Sequence, residues 1–247
     1  MKSLSIGTAW QESSMLLRRE AGLIVPVVLL FIAVPLALLF GSIPPELRTA
    51  AEQADIEHVT LPGYTLMLFL LCPLFMVEGT LATYALALKP GISLREALLL
   101  GFRRIPVALG AALLVGLALV PVMLLRVAIP AVGDIVIMVL LFLLSARLLP
   151  LNAVVVDRPV GVIASLRQSW VLSRGWLLKL LFFIIVISMP IMIAQLAGQL
   201  LFGLVGVAIG GQEGGRQLGD VGGAAALALG QMVVIVMTSR IYRQLSA

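Results

Sequence analysis

The sequence predicts an all-α, polytopic membrane helix bundle, and three observations predict it. First, 61% of the 247 residues are hydrophobic, and the mean hydropathy is +1.15. Second, only 12% of the residues are charged, about half the share that soluble domains carry. Third, the apolar residues form long runs without the strict alternation of a lipid-facing β-barrel. Since about 20 apolar residues in a helix cross the hydrocarbon core, these runs are predicted to be membrane spans.

Six apolar stretches are long enough to be spans. They are Leu23–Phe40, Tyr64–Leu88, Pro106–Leu125, Ile135–Val156, Trp176–Ala197 and Gly222–Ile241. The apolar sequence after the fifth stretch continues to Gly210, which is too far for one span. We therefore expect residues 198–210 to form an interfacial or re-entrant extension. The glycine-rich segment 210–223 is not expected to be a phosphate loop, because it lacks the GKS/T sequence. We expect it to be a flexible linker.

The distribution of basic residues predicts the orientation. Lys and Arg accumulate on the cytoplasmic side of short loops. With the N-terminus inside, 13 of the 17 basic residues fall on that side. The sequence therefore predicts a multi-pass protein of the bacterial inner membrane with both termini in the cytoplasm.

Anionic membrane lipid is the partner that this charge pattern favours. The basic residues lie in short loops between apolar runs and not on a broad water-facing surface, so nucleic acid is not expected. The predicted inner-leaflet contacts are Arg18, Arg19, Arg95, Arg103, Arg104, Arg167 and Arg174. A membrane-protein partner or a homo-oligomer is compatible with the same pattern.

The chain is predicted to be a single membrane domain, 1–247, that contains three related units. Units 1–88, 89–157 and 158–247 each pair an amphipathic cytoplasmic elbow with a two-span hairpin. The sequence Ser93-Leu-Arg95 recurs as Ser165-Leu-Arg167. In each unit an arginine also precedes a proline (Pro35, Pro121, Pro190) by 16 or 17 residues. If this is a true repeat and not coincidence, the prolines predict a kink in each odd-numbered span.

Two charged residues lie deep within predicted spans. Glu78 is ten residues before the end of the second span at Leu88, and Arg147 is ten before Asp157. Both would therefore sit ~15 Å from the cytoplasmic boundary. An unpaired charge there costs roughly 2.5–3.5 kcal/mol, which favours a Glu78–Arg147 ion pair. The alternative is a site for a polar substrate or a proton.

Three glutamines form a second polar group near the fifth and sixth spans. Gln195, Gln199 and Gln231 could line a polar pathway, or they could bond one another across the helix pair. The small-residue pair Gly206 and Gly210 has the spacing of close helix packing in lipid.

The residues that usually carry catalysis are scarce. His58 is the single histidine and Cys72 the single cysteine, so the sequence offers no His and Cys set for a metal ion. We expect no catalytic residue, no metal and no cofactor.

The segment from Arg147 to Trp176 carries a family resemblance. Its landmarks are Arg147-Leu-Leu-Pro-Leu-Asn, Asp157-Arg-Pro-Val-Gly161 and Ser169-Trp-Val-Leu-Ser-Arg-Gly175. This segment resembles the membrane domain fused to some bacterial glycerophosphodiester phosphodiesterases, which also occurs in stand-alone inner-membrane proteins. The catalytic barrel of that family, with its metal-binding motifs, has no counterpart here, so no catalytic residue is carried over.

The resemblance implies a lipid-handling or accessory module. The sequence thus predicts a non-enzymatic inner-membrane protein that interacts with lipid or acts as a scaffold. The alternative is a transporter or flippase-like pathway for a small polar or amphiphilic solute, with Glu78 and Arg147 at its centre.

Overall fold

The computed structural model describes residues 4–43 and 63–246, and no strand occurs among them. Its helices are α1 (Ile6–Val28), α2 (Val34–Ser42), α3 (Gly63–Leu88), α4 (Leu94–Ala128), α5 (Pro130–Leu148), α6 (Leu151–Asp157), α7 (Val162–Leu172) and α8 (Leu177–Ser246). A π-helical segment, Leu29–Ala33, joins α1 to α2. The predicted all-α class is confirmed.

Among the described residues, five helical stretches are long and apolar enough to cross a membrane. They are Ile6–Ser42, Gly63–Leu88, Leu94–Leu125, Val132–Asp157 and Leu177–Ser246. In the third and fourth, only 6% and 11% of the most apolar window is buried, so most of their aliphatic side chains face outward. Outward-facing aliphatic surface is what a helix in contact with acyl chains presents. The structure therefore supports a multi-pass membrane protein.

Helix α8 is interrupted once, at two glycines. Gly210 has φ −131° and ψ 18°, and Gly211 has φ 65° and ψ −156°, a positive φ that glycine adopts without strain. We call residues 177–209 the first arm and residues 212–246 the second arm. The arms run antiparallel and touch through backbone: a Cβ added to Gly198 would lie 2.7 Å from the Gly222 carbonyl oxygen. Gly206 and Gly214 meet in the same way nearer the break.

One prediction for this region was wrong. Residues 210–223 are not a flexible linker, since only Gly210 and Gly211 depart from helical geometry there. Residues 198–209 are helical and pair with the second arm, and their interfacial or re-entrant position in the membrane stays a prediction. The physical reason is that the glycines are used for close contact between backbones, which stabilises helix pairs in lipid. The large number of glycines suggested a flexible segment, because the sequence does not show that a second helix packs against them.

The amphipathic elbows take two forms. The first two are continuous with the spans that follow them, because α1 begins at Ile6 and α4 begins at Leu94. The third is a separate helix, α7, which is followed by Gly175 at φ 87°. The relation among the three predicted units stays a prediction.

The three matched prolines also differ from one another. Pro35 is the second residue of α2, two residues after the π-helical segment ends at Ala33, and this local widening accommodates a missing backbone donor. Pro121 lies inside α4, and Pro190 lies inside the first arm of α8.

The described residues form two compact units. Unit 1 consists of the described residues of Met1–Ala21, Leu81–Ser188 and Val233–Ala247. Unit 2 consists of those of Gly22–Thr80 and Met189–Met232. A cluster in the core of unit 1 consists of Leu4, Ala9, Ala146, Leu180, Phe183, Met237 and Ile241. In unit 2, the Phe31 ring lies 6.4 Å from the Phe75 ring, and the Phe31 side chain also packs on Gly79.

Candidate functional site

The turn between α3 and α4, in unit 1, creates an open groove. Helix α3 ends at Leu88, and Gly91 takes φ 80°, which lets the chain reverse without steric cost. Ser93 then caps α4 by accepting a hydrogen bond from the Glu96 backbone N–H at 3.3 Å. Glu96 completes the capping box, since its Oε2 accepts from the Ser93 backbone N–H at 2.9 Å and from Oγ at 2.7 Å.

We call this depression the turn groove. It has a volume of about 540 Å³ and is lined by Lys89, Pro90, Gly91, Ile92, Glu96, Leu99, Leu100 and Arg103. Lys89 and Arg103 place two positive charges in the lining, and the Glu96 carboxylate, which accepts the cap hydrogen bonds, places one negative charge there, so the groove has a net positive charge. Much of the remaining lining is aliphatic. Arg243, near the end of α8, supports the turn by donating a hydrogen bond to the Leu88 carbonyl.

The arginines predicted to contact lipid are accessible. All of them are exposed except Arg104, which is half-buried. Arg103 lines the turn groove, and Arg19 forms an ion pair with Glu20 at 2.9 Å. Their predicted contact with the inner leaflet stays a prediction.

Arg147 is held by the third elbow. Its guanidinium carbon lies 5.1 Å from the centroid of the Trp170 ring, and its carbonyl accepts a hydrogen bond from Ser169 Oγ at 2.9 Å. Both partners lie on α7, so this short helix is attached to the end of α5. Arg147 Nη1 is buried and has no hydrogen-bond partner within the described residues.

Glu78 lies in unit 2, whereas Arg147 lies in unit 1. Glu78 is only 7% exposed, and its Oε2 likewise has no hydrogen-bond partner in the part of the chain that the structure describes. The ion pair between the two residues stays a prediction.

Two of the three glutamines predicted to form a polar group line a cavity within unit 2. Gln195 and Gln199, on the first arm, line a cavity of about 210 Å³ with Phe40, Ile43, Asp220 and Gly223, and we call it the arm cavity. Gln231 is not part of its lining. Asp220, which the sequence did not single out as a site residue, is 5% exposed.

A second set of polar contacts, in unit 1, was not predicted from the sequence. Tyr242 is 1% exposed, and its hydroxyl donates a 2.7 Å hydrogen bond to Asp157 Oδ2. Arg158 Nη1 donates to Gln168 at 3.1 Å. These bonds join the end of α6 to α8 and α7. A buried tyrosine near a chain end was the available signal, because a buried hydroxyl needs a partner.

Protein-family models, curated proteins and solved structures were all compared with the chain, and none matches it. The resemblance of residues 147–176 to the phosphodiesterase-associated membrane domain therefore stays a prediction.

Proposed function

We propose that this protein is a non-enzymatic, lipid-interacting module of the bacterial inner membrane, and that its turn groove holds the headgroup of an anionic phospholipid. The observation that carries the proposal is the composition of the groove. Lys89 and Arg103 provide two cations beside an aliphatic wall. A phospholipid has the complementary chemistry, a phosphate next to a hydrocarbon chain.

The size and charge of the groove support this assignment. A volume of about 540 Å³ lies within the range of sites that hold small amphiphilic ligands. Leu99 is 49% exposed, so it offers apolar surface to an acyl chain. Each basic residue near an anionic membrane surface contributes about 1 kcal/mol. Lys89 and Arg103 together would therefore change affinity roughly 30-fold.

The proposal includes a topology of six spans with both termini in the cytoplasm. The break at Gly210 and Gly211 and the antiparallel arms support two crossings by α8. The location of 13 of the 17 basic residues supports the orientation. In this topology the turn groove faces the inner leaflet, where anionic lipid is found.

Lipid binding is tested with the full chain in nanodiscs. Native mass spectrometry would count phosphatidylglycerol molecules retained by the wild type and by a Lys89→Gln, Arg103→Gln double variant. The control is Arg158→Gln, Lys179→Gln, which removes the same charge outside the groove lining at two residues that are not among the predicted lipid contacts and whose side chains donate hydrogen bonds within the protein, to Gln168 and to the Leu4 carbonyl. We expect a loss of roughly 30-fold in the first variant and a much smaller loss in the control. Equal losses, or no preference over phosphatidylcholine, would contradict a specific groove.

The topology is tested by labelling single cysteines in a Cys72→Ala background. A membrane-impermeant maleimide added to intact spheroplasts should label Gln212→Cys and should not label Arg174→Cys. The reverse pattern would invert the orientation, and labelling of neither site until the cells are lysed would argue against six spans.

A further inference from the structure

Glu78 in unit 2 is a buried carboxyl that the turn groove does not use. The residue is 7% exposed, and its Oε2 has no hydrogen-bond partner within the described residues. We propose that Glu78 is a proton-binding site, where the carboxyl holds H⁺ and is uncharged at neutral pH. An uncharged Glu78 cannot be the anion of the ion pair predicted with Arg147, so the two states exclude each other. The site does not depend on lipid binding in the turn groove.

The first argument is the charge composition of unit 2. Among the described residues of this unit, Arg216 is the single cation, and it pairs with Glu213 at 2.7 Å. The segment 22–43, which packs on α3 at Gly79, contains no titratable residue. An isolated carboxylate in an apolar interior takes up a proton, because removing the charge avoids the cost of desolvating it. The other described titratable residues of unit 2 are Tyr64 and Cys72 on α3 and Asp220 on the second arm of α8.

The second argument is the apolar contact next to Glu78. A Cβ added to Gly79 would lie 3.2 Å from Ile32 Cγ1 and 3.4 Å from the Phe31 carbonyl carbon. The Phe75 ring, one turn before Gly79 on α3, lies 6.4 Å from the Phe31 ring. This part of α3 therefore lies directly against the π-helical segment, with aromatic and aliphatic side chains at the contact. Such surroundings favour the uncharged form of a carboxyl group.

The third argument is a backbone acceptor in the π-helical segment. Pro35, the second residue of α2, has no backbone N–H. A donor at this position would bond the Leu30 carbonyl in π-helical geometry or the Phe31 carbonyl in α-helical geometry. One of these two carbonyls therefore lacks its helical donor. A protonated carboxyl has an O–H donor and a carboxylate has none, so the protonated form of Glu78 is the one that complements this segment.

The protonation state of Glu78 can be measured directly. The full chain, labelled with ¹³C at the δ carbon of glutamate, would be studied in nanodiscs by solid-state NMR, because protonated and ionised carboxyl carbons have different chemical shifts. Loss of a signal in Glu78→Gln assigns the Glu78 carboxyl. The matched control is Glu213, whose side chain is 61% exposed and whose signal is assigned by Glu213→Gln.

At pH 7 we expect the Glu78 signal at the protonated position and the Glu213 signal at the ionised position. An ordinary glutamate is protonated in roughly one molecule in 500 at this pH. If at least half of the molecules hold the proton, the protonated fraction of Glu78 exceeds the ordinary one by roughly 250-fold. A Glu78 signal at the ionised position at pH 7 would overturn the proposal. If Glu78→Gln does not fold, Glu78→Asp assigns the signal, because it also removes the labelled carbon.

Arg147→Gln separates the proton site from the predicted ion pair. If Glu78 holds a proton, its signal stays at the protonated position when the guanidinium is removed. If the wild type shows an ionised Glu78 and Arg147→Gln shows a protonated one, the ion pair is correct and the proton site is overturned.

Discussion

The turn groove and the arm cavity are built in different ways. Sequence neighbours build the groove, since its lining falls between Lys89 and Arg103 and its shape follows from one turn and one helix cap. The cavity draws on α2 and both arms of α8, from Phe40 to Gly223. The first is open and cationic, and the second is small and holds a buried carboxylate. We therefore expect the turn groove to tolerate substitutions elsewhere in the chain, whereas the arm cavity depends on how the two arms pack.

The largest expected effect comes from separating the arms with Gly206→Leu. A side chain at this position meets the Gly214 backbone, which cannot move aside, so we expect a loss of about 3 kcal/mol in the free energy of unfolding. Retention of phosphatidylglycerol should persist in whatever fraction remains folded. Thermal unfolding in detergent, followed by circular dichroism, measures the stability. The control is Gly116→Leu, where an added Cβ meets nothing within 4 Å; equal stability of the two variants would refute the backbone contact.

The next largest effect is expected at the hydrogen bond between Tyr242 and Asp157 in unit 1. Tyr242→Phe removes the hydroxyl that donates to Asp157, and we expect a loss of about 1.5 kcal/mol because this bond involves a carboxylate. Chemical unfolding in mixed micelles would measure the loss. Tyr64→Phe serves as control, since the Tyr64 side chain is 62% exposed. Phosphatidylglycerol retention should stay at the level of the wild type, and a parallel drop in lipid retention would show that the groove is not local.

Gly91→Ala should have a smaller effect, confined to the groove. Alanine at φ 80° costs roughly 1 kcal/mol, and the turn would relax by shifting Lys89 relative to Arg103. We expect weaker phosphatidylglycerol retention. Gly22→Ala is the comparison, because Gly22 is helical and an added Cβ meets nothing within 4 Å. If Gly91→Ala retains as much phosphatidylglycerol as Gly22→Ala, the positive φ does not shape the groove.

The smallest effect separates two partners proposed for Arg147. A double-mutant cycle with Arg147→Gln and Trp170→Leu should give a coupling of about 0.5–1 kcal/mol from the cation–π contact. A second cycle with Glu78→Gln tests the predicted ion pair. A larger coupling of Arg147 to Glu78 than to Trp170 would support the intramembrane ion pair. Zero coupling to Glu78 would rule out that ion pair. Transport of a polar solute that is lost in Glu78→Gln alone would favour the alternative of a pathway.

Much of the helical structure could be predicted from the chain itself. The predicted second span, Tyr64–Leu88, matches α3, which is Gly63–Leu88. Such a run is predictable because in lipid a helix satisfies its own backbone hydrogen bonds, so apolar length is sufficient information. The prediction for residues 210–223 failed because glycine content has two physical meanings, and only a partner helix distinguishes flexibility from close packing.

The candidate sites were less predictable. Arg103, Gln195 and Gln199 were singled out by charge or polarity, and each lines a groove or cavity. Asp220 was missed as a site residue because nothing in its neighbours shows that it is buried. Lys89 was not singled out from the sequence, because its place in the same groove as Arg103 depends on the turn at Gly91.

The sequence alone determined the all-α class, the apolar helices and the distribution of charge, because each of these is a property of consecutive residues. Tertiary structure decided which groups lie together: Gln199 and Asp220 line one cavity, the Arg147 guanidinium lies over the Trp170 ring, and Tyr242 donates a hydrogen bond to Asp157. These contacts join residues far apart in the chain. They follow from how helix surfaces pack, which a single sequence does not display.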